Sequence, residues 1–211
     1  MIVFGLFEIK FSDFLMRYSA DITAGSLKVA ESRVIADLLL RQIDKEGWRE
    51  AIVRQNVLQS RNATTALRLS KLIRGRLELM DYELWGLIRD GAKTVATHAV
   101  LAAAVKHSPL LGDFLDIVVR EQYKIFSPGL SNQLWEDYLN DCRGRDGEMP
   151  LWNESTRRRL RSSVFQALSQ AGFIEDTKTL RLQPVYIAPQ VIEYLQARDE
   201  TYVLRCIQLI V

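Results

Sequence analysis

Residues 153–172 place four arginines, Arg157, Arg158, Arg159 and Arg161, on one predicted helix, and residues 173–187 read as a short β-hairpin directly after it. A basic helix feeding a basic turn leaves few folds open to the C-terminal part of the chain. Asn153 or Ser155 caps the first turn by accepting a backbone N–H, and Gly172 is placed to end the helix in the left-handed conformation. At about 100° per residue, Leu160, Val164, Ala167, Leu168 and Ala171 share one face. Arg158, Ser162, Gln166 and Ser169 lie on the opposite face, flanked by Arg159 and Arg161. No acidic residue stands between Thr156 and Ile174, which predicts a positive potential on the exposed side.

In the hairpin, Asp176, Thr177 and Lys178 supply turn chemistry, and Leu180 and Leu182 alternate with Arg181 and Gln183. Lys178 and Arg181 then sit on a wing, and Tyr186, after Pro184, reads as a packing residue at its base. Helix and wing together have the layout of a winged-helix nucleic-acid reader. The competing reading is a solvated basic helix that binds nothing.

With 211 residues the chain has room for one large or two small domains. Its 28 basic and 26 acidic residues nearly balance, so nucleic-acid affinity has to come from local clustering and not from the whole-molecule field. Cys142 and Cys206 stand far apart without the paired spacing of a zinc site, which favours a reduced, cytoplasmic protein. The apolar start, residues 1–7, is interrupted by Glu8, Lys10 and Asp13 before it reaches signal-peptide or membrane-span length, and reads as a packed or docking segment. No transmembrane helix is expected.

Residues 25–108 are patterned as helices almost throughout. Leu27, Ala30, Val34, Ile35, Leu38 and Leu39 recur at spacings of three and four; further helices are predicted over 48–58, from Asn62 to about residue 80, over 82–89 and over 92–106. Pro109 opens another helix, closed by Ser127, Pro128 and Gly129. Ser131 caps the next one, to Cys142, and residues 143–147 read as a loop. Residues 188–197 form a last helix and 202–211 a strand. The expected organisation is an N-terminal segment at 1–20, a helical bundle at 21–128 and a second domain at 129–211. On the third helix Arg68, Lys71 and Arg74 form a second basic stripe opposite Leu69, Ile73 and Leu77, with Arg61 nearby. It is a candidate phosphate contact or an ordinary solvated face.

Catalytic chemistry has little support. No Gly-rich nucleotide loop is present, His98 and His107 point apart on one helix, and Asp113 and Asp116 lack the further carboxylates of a nuclease site. Glu31 and Arg33 read as a structural salt bridge or cap. His107 and Asp113 read as groups that fix the turn before the next helix. No metal, cofactor or small-molecule substrate is expected.

Several segments, taken together, carry a family resemblance: Asp21-Ile-Thr-Ala-Gly-Ser26 with Glu31-Ser-Arg33, then residues 104–114, Ser155-Thr-Arg157, Thr179-Leu-Arg-Leu-Gln-Pro-Val-Tyr186 and Tyr202-Val-Leu-Arg-Cys206. As a set they resemble the BrxA family, the small A-component of the bacteriophage-exclusion (BREX) defence systems of bacteria. The resemblance implies a cytoplasmic, non-enzymatic component acting with other BREX proteins. It also implies a mainly α fold, with a NusB-like helical bundle joined to a winged-helix-like α+β domain and associated with DNA binding. The expected partner is double-stranded DNA. Arg157, Arg158, Arg159, Arg161, Ser162, Lys178 and Arg181 are the contact candidates, extended by Arg68, Lys71 and Arg74. A protein-interaction subunit, or an RNA-binding protein by analogy with NusB, is the alternative.

Overall fold

A computed structural model describes residues 18–24 and 26–209 of the chain. Most of the apolar N-terminal segment, Gly25 and the last two residues lie outside them. The described chain is mainly helical. A 3-10 turn at Asp21–Ala24 leads into α1 (Val29–Leu40), α2 (Lys45–Arg49, running on as a π-helical turn to Arg54), α3 (Ala63–Leu77), α4 (Tyr82–Asp90) and α5 (Lys93–His107). Next come α6 (Pro109–Asp113), a π-helical stretch Phe114–Val119 and α7 (Arg120–Lys124), followed by α8 (Asn132–Arg145), α9 (Glu154–Ala171), α10 (Pro189–Ala197) and α11 (Thr201–Ile207).

Short polar side chains start these helices where the sequence puts them. Asn62 accepts from the Thr65 N–H at 2.8 Å, Ser131 from Leu134 at 3.2 Å and Asn153 from Thr156 at 2.9 Å. Each such cap is worth about 1 kcal/mol. The helix expected over 48–58 starts earlier, because Asp44 caps it through the Gly47 N–H at 2.7 Å, and its regular part ends at Arg54, with Leu58 buried in the loop beyond. Arg143 and Arg145 extend α8 past the expected loop boundary.

The alanine-rich α5 is the axis of the fold. Residues 96–105 are all buried, and α1, α3, α4, α6, α9, α10 and α11 pack against it. Small side chains permit that close approach from several directions. At the other end of the core Phe114 meets Trp135 and Tyr138 of α8 edge-on, with ring centroids 5.1 and 5.2 Å away, and Phe165 of α9 at 6.2 Å. These rings fix α8 and α9 relative to one another.

Two sequence expectations are corrected. The described part of the expected strand over 202–211 is helical instead: Thr201–Ile207 is α11, with Val203, Cys206 and Ile207 buried at helical spacing against α5 and α10, and residues 210 and 211 lie outside the described residues. A short apolar run with β-branched residues fits either period, and packing decides it. The hairpin is much shorter than 173–187. Ile174 bridges Leu182 antiparallel, and Gly129 bridges Arg181, so 180–183 lies between 173–175 and 128–130. Pro184 has no N–H to continue the ladder. Glu31 and Arg33 have the structural roles expected of them, a salt bridge and a helix cap, but with partners other than each other. Glu31 meets Lys28 at 3.3 Å, and Arg33 donates to the Arg89 and Gly91 carbonyl oxygens at 2.6 and 2.7 Å, closing the end of α4.

Candidate nucleic-acid interface

Helix α9 is amphipathic as its spacing predicts. Leu160, Val164, Ala167, Leu168 and Ala171 are buried, Arg158, Arg159, Ser162 and Gln166 are exposed, and Gly172 ends the helix at φ 89°. Burying a Leu or Val contributes about 1.5–3 kcal/mol, so this apolar face fixes which arginines are left outside.

The charge on the exposed face differs from the sequence expectation. Trp135, Tyr138, Leu139 and Cys142 of α8 turn into the core, which leaves Glu136, about 100° round from Trp135, facing α9. Its Oε2 lies 2.5 Å from Arg157 Nη2 and its Oε1 lies 3.2 Å from Arg161 Nη1. Glu154 meets Arg158 at 2.5 Å. Of the four arginines, Arg159 alone has no ion pair among the described residues, and it is exposed. The acids that offset the field come from the first turn of α9 itself and from a neighbouring helix, outside the span 157–173.

Arg157, Arg158 and Arg161 line one open groove of about 490 Å³ with Glu136, Glu154 and Trp152. A second, smaller groove joins Arg157 and Trp152 to Arg143, Pro150 and Leu151. Arg143 is an exposed cation that the sequence reading missed, because it was assigned to a loop; the continued helix pattern of α8 was the available signal.

The turn after α9 is built by Asp176, whose Oδ1 accepts from the N–H groups of Lys178 and Thr179, both at 2.7 Å. Those backbone donors hold its carboxyl below the usual carboxylate range. Lys178 is exposed at the tip, and Arg181 is exposed with Glu175 3.7 Å away. Leu180 has φ 52°, and its carbonyl oxygen accepts from the Leu130 N–H at 2.9 Å. A Cβ at Gly129 would sit 2.7 Å from that oxygen, so this approach requires glycine. Tyr186 does not pack at the base. It is 73% exposed, and Val185 and Ile187 on either side are the buried residues.

The α3 stripe lies apart from these grooves. Arg68 and Lys71 are exposed, but Arg74 pairs with Glu78 at 2.6 Å and lies over the Trp48 ring at 4.4 Å. Arg76, on the same helix, is buried and donates to the Ser26 carbonyl oxygen at 2.8 Å; burial lowers its pKa to about 10.

His98 and Asp113 are buried in the core. His98 Nδ1 accepts from the Ala188 N–H at 3.0 Å, tying α5 to the start of α10, and burial pushes its pKa down. His107 is likewise pushed down by burial. Asp113 does not fix the turn before α6: its carboxylate accepts the Tyr18 and Tyr202 hydroxyls at 2.7 and 2.8 Å. Among the described residues no three His, Cys, Asp or Glu side chains are grouped to hold a metal, and no helix is long and apolar enough to cross a membrane. What the α9 face and the turn offer is a set of exposed N–H donors with positive charge, the chemistry that engages phosphate oxygens.

Comparison with known proteins agrees over nearly the whole described chain. The BrxA family profile matches residues 16–199. A protein from Paramagnetospirillum magneticum (strain ATCC 700264 / AMB-1) named BREX protein BrxA is 52% identical over 193 residues, 92% of this chain and 97% of its own. Another of that name from Escherichia coli O9:H4 (strain HS) is 32% identical over 176 residues, 83% of each chain. A crystal structure of an uncharacterized protein from Magnetospirillum magneticum superposes with TM-score 0.86 at 49% identity, covering 92% of this chain and 100% of that one. By sequence, the chain belongs to the BrxA family.

Proposed function

We propose that this protein is a non-catalytic, cytoplasmic component of a BREX anti-phage defence system, that it binds duplex DNA mainly through phosphate contacts, and that it acts with other BREX proteins. The defence role rests on its relatives named BREX protein BrxA. The observation that carries DNA binding is the exposure of Arg159, Lys178 and Arg181 on α9 and the turn that follows it. Support for a winged-helix-like domain over 129–211 comes from the chain order: a bridging segment at 128–130, then α8, α9, and two paired segments around a basic turn. Residues 21–128 then form a NusB-like helical support.

In this reading α9 approaches the major groove, and its arginines and Ser162 meet phosphates or base edges, while Lys178 and Arg181 reach the adjacent backbone. The test is fluorescence anisotropy with labelled duplex DNA, duplex RNA and single strands over a range of salt. Duplex DNA should be preferred, with log affinity falling by about 0.9 per neutralised phosphate per decade of salt. Arg159→Glu and Lys178→Glu should each weaken binding and flatten that slope by roughly 1. Salt-independent binding, or none at low salt, refutes the reading.

An interaction-subunit reading has its own observation. Ile125, Phe126 and Tyr186 are 60, 92 and 73% exposed, and Phe126 lines an apolar groove with Tyr123, Leu182 and Pro184. Exposed patches of large apolar side chains mark protein contacts. Under that reading charge reversal on α9 removes partner co-purification and leaves DNA retention unchanged.

A further inference from the structure

We propose that Glu136 is an internal stand-in for a DNA phosphate: its carboxylate occupies the place on α9 that a backbone phosphate takes, and it must be displaced for Arg157 and Arg161 to bind. This rests on the DNA-binding reading above and specifies where on that surface a phosphate sits.

Three observations lead there. Arg157 and Arg161 are four residues apart, one turn of α9, where like charges repel unless an anion lies between them. Glu136 supplies that anion, with one oxygen on each guanidinium at 2.5 and 3.2 Å. Two oxygens shared between two arginines is the arrangement in which a phosphodiester's non-bridging oxygens bind as well.

The nitrogens used are Arg157 Nη2 and Arg161 Nη1, the tips of the side chains. Glu136 thus engages one terminal nitrogen of each guanidinium. All three side chains are a quarter to a third exposed and line the same open groove, so a ligand reaches them without unfolding. Carboxylate and phosphate therefore compete for one position. The competition lowers affinity for any duplex and penalises a site whose backbone does not present a phosphate there.

The test compares Glu136→Gln with the unaltered full chain by anisotropy against one labelled duplex at several salt concentrations, with thermal unfolding run in parallel; Glu136→Ala replaces the amide variant if that folds poorly. The expected result is about fivefold tighter binding and a salt dependence steeper by roughly 0.9 for the phosphate gained. The gain should vanish when Glu136→Gln is combined with Arg157→Gln and Arg161→Gln, since the effect acts through those two groups. Weaker or unchanged binding by Glu136→Gln, with the parent still binding duplex, overturns the proposal and leaves the DNA-binding reading standing. A gain that persists without the two arginines overturns it as well, because it then reflects net charge alone. If neither parent nor variant binds duplex at low salt, the DNA-binding reading itself fails and takes this proposal with it.

Discussion

The Tyr202 hydroxyl donates to Oδ1 of Asp113 across 2.8 Å, on a carboxylate that is only 4% exposed and whose Oδ2 takes the Tyr18 hydroxyl at 2.7 Å. One buried charge thus fastens α11 and the start of the described chain to α6. Hydrogen bonds to charged groups contribute about 1.5–3 kcal/mol. Tyr202→Phe, which removes the donor and keeps the ring, should destabilise the protein by about 2 kcal/mol in urea unfolding. Tyr186→Phe, at an exposed site, should change it by less than about 0.5 kcal/mol. Equal effects at the two positions would contradict the assigned roles.

Acid should weaken the fold through its histidines. Burial pushes His98 and His107 below their ordinary value of 6.5. Between the folded and unfolded values the unfolded chain binds protons that the folded one does not, so stability rises with pH in that window. Their contribution is fully present above about pH 6.5 and is lost as pH falls through the lower, folded values. The urea midpoint should be flat between about pH 7 and 8 and decline on acidification. His98→Asn, which offers the Ala188 N–H an alternative acceptor, should flatten part of the decline. A midpoint that rises on acidification would exclude this account.

Phe126 pairs two costs: it is 92% exposed and holds φ at 53° just after α7. Left-handed backbone costs a non-glycine residue about 1–2 kcal/mol. Phe126→Gly should therefore raise stability, by about 0.5–1 kcal/mol once the greater freedom of the unfolded chain is subtracted. Differential scanning fluorimetry checks the direction. A lowered midpoint would mean that the ring packs in solution.

Gly129→Ala should disturb the basic turn from a distance. Its Cβ would press on the Leu180 carbonyl oxygen at 2.7 Å and strain the Leu130–Leu180 hydrogen bond. We expect a loss of about 1–3 kcal/mol in stability, together with weaker duplex binding, because Lys178 and Arg181 ride on the displaced segment. The same substitution at Gly144, which has open space around it, should do neither.

Local chemistry was legible in the sequence. Asn62, Ser131 and Asn153 cap the helices they were expected to cap, Gly172 stops α9, and the five apolar residues of α9 that share a face are all buried. These depend on neighbours within a turn or two. What escaped depends on residues far apart in sequence. Glu136 reaches Arg157 and Arg161 across more than twenty residues, so counting acids between 156 and 174 could not reveal it. The bridge from Gly129 to Arg181 spans about fifty residues and has no local signal. Residues 201–207 satisfy both strand and helix periods over so short a run, and contacts with α5 settle the choice. Tyr186, expected to pack because an aromatic ring follows Pro184, is exposed because its neighbours Val185 and Ile187 turn inward and alternation leaves Tyr186 outside.

The burial of α5 has a kinetic counterpart. Residues 96–105 are buried and seven other helices pack on α5, so no edge of it can peel away while the rest stays in place. Its amide protons should exchange with deuterium only when the whole molecule opens, and they should be the slowest to do so. Their common exchange rate is then a direct gauge of global unfolding under native conditions, against which faster-exchanging amides elsewhere report local openings.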